Sequence, residues 1–259
     1  MQFFHSFSNI LGAASRARSS DRNRECRDWA EHGRFGGYDA DVEVSLCAAG
    51  GRGDVRARFI RNELLWLDNA RNAAKRRARQ DSGPKGAKQP GQMLCEWDAA
   101  ARDEADMIVL NRGYHSTATD VAVVGAELND TMRQLASLLE RRTNRQPLVI
   151  YRGTHASLYQ CSDYPDPFTR SSSGGNTHPV THALRLHRSN ANAWYSWRNV
   201  YAHHRLDQDL MRRYRVPYIN TFLATSLRPG GRLHPDDCNH FCLPGPIDEW
   251  TRLLLAFAT

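Results

Sequence analysis

Ala105-Asp106-Met107-Ile108-Val109-Leu110, followed at once by Asn111-Arg112-Gly113-Tyr114-His115, is the stretch from which the fold is read. An unbroken apolar run after two polar residues marks a strand buried on both faces of a parallel sheet; a half-exposed strand would alternate. Behind it, Val121 to Arg142 carries Val124, Leu128, Met132, Leu135, Leu138 and Leu139 at helical spacing. Pro147-Leu148-Val149-Ile150-Tyr151-Arg152 supplies the next core strand. Strand, crossover helix and strand make the repeating unit of an α/β sheet, whose sites lie beyond the carboxyl ends of its strands. Those ends deliver Asn111 to His115 and Gly153-Thr154-His155. An Asn so placed can aim its amide at a developing oxyanion. Asn111 and Gly113 would equally serve to turn the chain, and on these residues alone the turn is the better reading.

Toward the C-terminus, Val216 to Asn220 reads as a last strand. Asp236-Asp237-Cys238-Asn239-His240-Phe241-Cys242-Leu243 then runs through Pro244-Gly245-Pro246 into a short amphipathic helix, Ile247 to Phe257. A carboxylate three residues before an imidazole can fix its tautomer and leave the other nitrogen to take a proton from a nucleophile. Flanking cysteines, if bridged, would hold that loop in one geometry. Taken alone, Asp-x-x-His is served as well by a turn in which the Asp caps the helix and the His does nothing, and for these residues alone that reading is preferred.

The longer string changes the balance. Asp237-Cys238 to His240-Phe241-Cys242-Leu243-Pro244-Gly245, with Asp248, Trp250, Leu253 and Leu254 behind it, resembles the C-terminal block of the PC-esterase family. That family is related to SGNH/GDSL hydrolases and includes plant trichome-birefringence-like polysaccharide O-acetyltransferases and the animal sialic-acid O-acetyltransferase domain. The resemblance implies a three-layer, flavodoxin-like α/β fold with a parallel sheet and helices on both faces. It implies His240 as general base, Asp237 orienting it, and Asn111 as an oxyanion donor, since Asn111-Arg112-Gly113 is similar to the family's N-x-G-x-[HW] block. His115 and His155 would line the substrate side, and Arg228 belongs to Thr225-Ser226-Leu227-Arg228, similar to an S-x-x-R stretch whose later acidic position is here replaced by Gly230-Gly231-Arg232. A Cys161–Cys238 bridge is implied on the same ground. The implied activity is acetyl transfer to, or removal from, a sugar hydroxyl through an acyl-serine, without metal; no bound cofactor is expected, and acetyl-CoA or another acetylated compound would be the donor. The acceptor would be a polysaccharide or glycan.

At the other end, Phe3, Phe4, Phe7, Ile10 and Leu11 fall at helical spacing. Met1 to Phe7 resembles the family's helix after its first strand, the strand that ends in Gly-Asp-Ser. The expectation is a single domain over residues 1–259, incomplete at its N-terminus, with that strand and the serine nucleophile missing. Asp41 to Leu46 and Val55 to Leu67 read as strands, Met93 to Asp103 and Ala191 to Tyr214 as helices, and 69–92 as a basic flexible insertion holding Arg71, Lys75, Arg76, Arg77, Arg79, Lys85 and Lys88.

A net charge of +7 invites a nucleic-acid reading. The basic cluster lacks interleaved aromatics for base stacking, so a solvated segment is preferred and nucleic acid is rejected as the main partner. His178, His182, His187, His203 and His204 lack H-E-x-x-H order, so no metal site is expected. Six cysteines form an even set without a zinc-type C-x-x-C pair. They fit an oxidising lumen, and the resemblance implies the Golgi lumen or extracellular space, with membrane attachment only through an N-terminal anchor not in this chain. Met1 to Phe7 shows no basic n-region followed by an apolar h-region, so no secretory signal is expected within this stretch. The alternative to an enzyme is a non-catalytic carbohydrate-binding relative; a basic polyanion-binding domain ranks third.

Overall fold

The computed structural model describes residues 41–47, 54–60, 65, 67, 97, 101, 105–112, 120–143, 145–157, 161–164, 167, 169, 178–189, 199–229, 232–234, 237–241 and 245–258. For 41–47, 54–60, 162, 187–189, 232–234, 237 and 258 it describes the backbone alone.

In chain order the elements are β1 (Asp41–Cys47), β2 (Asp54–Ile60), β3 (Met107–Leu110), α1 (Val121–Glu140), β4 (Leu148–Arg152), α2 (Pro179–Ser189), α3 (Val200–Tyr214), β5 (Tyr218–Ile219), α4 (Thr221–Ser226), β6 (Arg232–His234), β7 (Asp237–Phe241) and α5 (Pro246–Ala258). The class is α/β: β3, β4 and β5 form a parallel sheet in that order, with β4 central and helices flanking it. Tyr151 and Arg152 of β4 register with Tyr218 and Ile219 of β5. The apolar run at 107–110 and the crossover helix behind it are thus where the sequence pattern puts them.

The described residues of Leu11–Ile108 and Ala126–Leu148 form one compact unit, and those of Val109–Gly125 and Val149–Thr259 a second. In the first, β1 and β2 make an antiparallel ribbon from Asp41↔Ile60 to Cys47↔Asp54. The strand expected to run on to Leu67 stops at Ile60. Leu65 has φ 54°, a left-handed backbone outside regular strand geometry. The Ala101 N–H donates to the Trp97 carbonyl at 3.0 Å, one helical turn within the expected Met93–Asp103 helix; the 69–92 insertion lies outside the described residues.

In the second unit the core is built around β4 and α3. Tyr151, Phe222, Met211 and Ile219 are fully buried. Gly125 on α1 meets the Leu206 side chain of α3, where a Cβ would approach to 2.9 Å. Helix α2 was not legible as a helix, because its histidines and arginines mask a short apolar stripe. Its start shows how it forms: Pro179 takes the first helical position, and His178 Nδ1 accepts the Val180 N–H at 3.3 Å. Asn220 caps α4, its Oδ1 accepting the Leu223 N–H at 3.0 Å.

The segment expected as a loop between Cys238 and Cys242 begins as a strand. β7 pairs antiparallel with β6, Arg232↔Phe241 and His234↔Asp237, so two steps on β6 span four on β7. That irregularity breaks strict alternation. Cys238 and Phe241, three apart, are both buried, while His240 between them is exposed.

Candidate active site at the carboxyl edge of the sheet

Three chain segments meet where β3 and β4 end. Past β3, the Asn111 Nδ2 donates to the Arg152 carbonyl at 2.8 Å, tying the two strand ends together. Past β4, residues 153–157 are pinned from several sides. The Gly153 N–H donates to the Ile219 carbonyl at 3.1 Å, and the Gly153 carbonyl accepts from Thr221 Oγ1 at 2.5 Å. The Ala156 N–H donates to Thr225 Oγ1 at 2.8 Å. Both backbone groups of Gly153 and the N–H of Ala156 are thus tied to residues distant in sequence.

The third segment is β7. His155 Nε2 lies 3.0 Å from both the backbone oxygen and the Oδ1 of Asn239. The Ser157 hydroxyl donates to the Cys238 carbonyl. Cys161 is bridged to Cys238, with Cα atoms 5.6 Å apart, the pair the family resemblance implied. Residues 155, 157 and 161 thus grip the two residues immediately ahead of His240.

Around this junction the rings form a compact set. The His155 ring stacks on Trp250 at 5.2 Å and meets the edge of Phe241 at 5.3 Å. Phe241 and Trp250 meet edge to face at 5.7 Å, and the Arg152 guanidinium lies 5.1 Å above the Trp250 ring. Burial pulls Arg152 down to about 10, partly offset by the fields of Tyr151 and Tyr218. The Trp250 Nε1–H is buried without an acceptor.

Of the residues singled out in the sequence, Asn111 and His155 join this connected set, and exposed His240 stands one residue from it. Arg228 is exposed just past α4, its N–H bonded to the Thr225 carbonyl at 3.0 Å. His115 and the side chain of Asp237 lie outside the described residues. At the start of α5 a different carboxylate, Asp248, makes the turn's side-chain contact. Asp248 Oδ2 accepts the Gly245 N–H at 2.6 Å and the Asp248 N–H returns to the Gly245 carbonyl at 3.0 Å, which closes the start of α5. Asp248 in the family-like string therefore has a structural reason.

Arg152, Ser157 and Asn239 were not picked out by sequence reasoning. The only signal for the first two was their place, at or just past the end of a core strand. Beneath the site, Tyr151, Asp207, Tyr218, His204 and Arg112 form a buried polar cluster. Burial raises Tyr151 well above its usual range and lifts Asp207 to about 7. The Tyr151 hydroxyl makes no well-formed hydrogen bond, yet Asp207 is close enough to interact with it. His204, held 3.0 Å from the Tyr218 hydroxyl, is lowered to about 4 by burial and then by Arg205. Among the described residues no group of three or more His, Cys, Asp and Glu side chains converges as a metal site. No helix among them is long and apolar enough to cross a membrane.

The family model described as PC-Esterase, a GDSL/SGNH-like acyl-esterase family found in Pmr5 and Cas1p, matches residues 115–257, more than half of the 259. Its span takes in His115, His155, Cys161, Arg228, Asp237, Cys238 and His240, and begins just past Asn111. No curated protein and no solved structure matches.

Proposed function

This chain belongs to the PC-esterase family of GDSL/SGNH-like acyl-esterases, and on that premise we propose that it serves acyl-ester chemistry on sugar hydroxyls, O-acetyl transfer or its hydrolytic counterpart. The proposed route is covalent. A serine Oγ attacks the acetyl carbonyl while its proton passes to His240, whose other nitrogen is oriented by Asp237. The oxyanion is held by the serine backbone N–H and by the second amide hydrogen of Asn111. The leaving oxygen, or the sulfur of a thioester donor, takes the proton from His240; a glycan hydroxyl or water then attacks the acyl-serine, giving its proton to His240, which hands it to the departing serine Oγ. Acetyl-CoA or another acetylated compound is the donor, and Arg228 and His115 face the glycan. A secretory-pathway lumen would keep Cys161–Cys238 oxidised.

The observation that supports this reading is the unbroken chain of contacts from Asn111 through Arg152, Trp250 and His155 to Asn239, next to His240. It brings Asn111 and the residue ahead of His240 to the carboxyl edge of a parallel sheet, and that placement supports reading the first as oxyanion donor and His240 as base. The second reading is a glycan-binding relative without turnover.

The test compares the 259-residue chain with the same chain joined at its N-terminus to a Gly-Asp-Ser strand, on an acetylated sugar and a chromogenic acetate. Turnover is expected only in the joined protein, falling by about a thousandfold or more in His240→Ala. Serine-independent turnover by the 259-residue chain that vanishes in His240→Ala would overturn the acyl-serine route. Glycan binding without turnover in the joined protein would establish the second reading.

A further inference from the structure

We propose that His155 is a positioning residue, holding the backbone of Asn239 so that His240 leaves β7 in one direction, and that it is not a ligand for the substrate. The assignment of His240 as base rests on the reading above; the clamp on Asn239 does not.

The geometry fixes the protonation. A backbone carbonyl can only accept, so His155 Nε2 at 3.0 Å from the Asn239 oxygen must carry the hydrogen. Asn239 Oδ1, at the same distance, shares it. The nitrogen at the far tip of the ring is thus committed to β7. The ring itself is held between Trp250, which stacks on it, and the edge of Phe241. Ala156 next to it is completely buried, and Thr225 fixes its N–H. His155 therefore stands on a rigid base and reaches across to a strand whose regular alternation is broken between its paired residues.

That break explains the need for a clamp. Where two steps of β6 span four of β7, the ladder departs from regular register. Ser157 takes the Cys238 carbonyl, the bridge to Cys161 takes its side chain, and His155 takes the next carbonyl along. His240 follows directly and is exposed. The Nε2 nitrogen, which reaches farthest from the backbone, is spent on the main chain and not offered to a substrate.

The test uses the full 259-residue chain. His155→Phe keeps a ring on Trp250 and deletes the donor, whereas His155→Gln places an amide N–H at similar reach and deletes the stack. Amide hydrogen exchange over residues 238–241 and the imidazole NMR signals of His240 are compared in both. Loss of one such hydrogen bond is expected to speed local exchange about tenfold in His155→Phe and to shift the His240 signals, with the melting temperature nearly unchanged. His155→Gln is expected to stay within about threefold of the parent. Equal behaviour of the two variants, or unchanged exchange in His155→Phe, overturns the proposal. So does weaker binding of an acetylated sugar in both variants with exchange unaffected, which would make His155 a ligand. If His240→Ala proves irrelevant to turnover, the exchange result still stands or falls by itself.

Discussion

Gly153 shows what a single residue does here and how little of it a sequence discloses. As the residue after a core strand it reads as a loop opener. Its actual constraint is a neighbour distant in sequence: a Cβ at Gly153 would lie 2.0 Å from the Tyr218 hydroxyl and 2.6 Å from its Cζ. The Tyr218 ring cannot withdraw easily, being stacked on Tyr151 at 6.1 Å and bonded through its hydroxyl to His204. Gly153→Ala should therefore cost about 1–3 kcal/mol by overpacking, measured by urea unfolding. Adding Tyr218→Phe removes the 2.0 Å contact but leaves the ring carbon at 2.6 Å, so recovery should be partial. Full tolerance of the alanine would mean that the ring has room to move. The same lesson applies to His178 and Asp248. Each sat in a chemically suggestive string, and each turns out to accept a backbone N–H at a helix start.

At the scale of elements, helix α3 against β4 and β5 carries the strongest electrostatic prediction. Its buried stripe is Val200, His203, His204, Asp207, Leu210 and Met211, a core face with an acid and two imidazoles at positions the helical period assigns to apolar residues. That anomaly was present in the sequence, but only the packing shows that the groups stay inside. Asp207 is raised from 3.8 to about 7, chiefly by burial, with Tyr151 and Arg112 pulling the other way. In the folded state it holds a proton that the unfolded chain has already released, so its contribution to stability falls as pH rises from about 4 to 7. His204 is lowered from 6.5 to about 4 by burial and then Arg205. The unfolded chain binds a proton there that the folded one refuses, so stability falls as pH drops from about 6.5 to 4. Each effect is on the order of 3 kcal/mol, and across the shared window they oppose each other. The parent should thus have a nearly flat stability profile between about pH 4 and 6.5. Asp207→Asn should leave a profile that climbs with pH, and His204→Phe one that declines. Denaturant midpoints at several pH values read this directly; parallel profiles in all three proteins would mean that the buried cluster relaxes or admits water. β7 gives the opposite lesson about legibility. Its Asp and Asn carry little strand propensity, and pairing with β6 overrides that preference.

For the molecule as a whole, the α/β class was readable because the run at 107–110, the crossover helix and the run at 148–152 signal a parallel sheet from local pattern alone. What no local pattern contains is closure over distance, and here closure is covalent. Six cysteines allow many pairings; the structure joins Cys161 to Cys238 across a separation of 77 residues. Both sulfur-bearing residues are buried, in a cluster with Ala156, Val200 and Phe222. Everything between them, including α2, α3, β5, α4 and β6, lies inside the closed loop. Restricting so long a loop in the unfolded chain is worth up to about 4–5 kcal/mol in the chain-entropy account and typically 2–4 in practice. Cys161→Ser with Cys238→Ser should therefore lower the unfolding free energy by about 2–4 kcal/mol. It should also loosen positions 238 and 239, because the Ser157 and His155 contacts are then left to hold that part of β7. Reductant should reproduce the loss in the parent and do nothing further to the double variant. A parent whose urea midpoint is insensitive to reductant, with a non-reducing peptide map lacking the 161–238 pair, would show that the fold closes by packing alone, and that the two thiols are merely neighbours in its core.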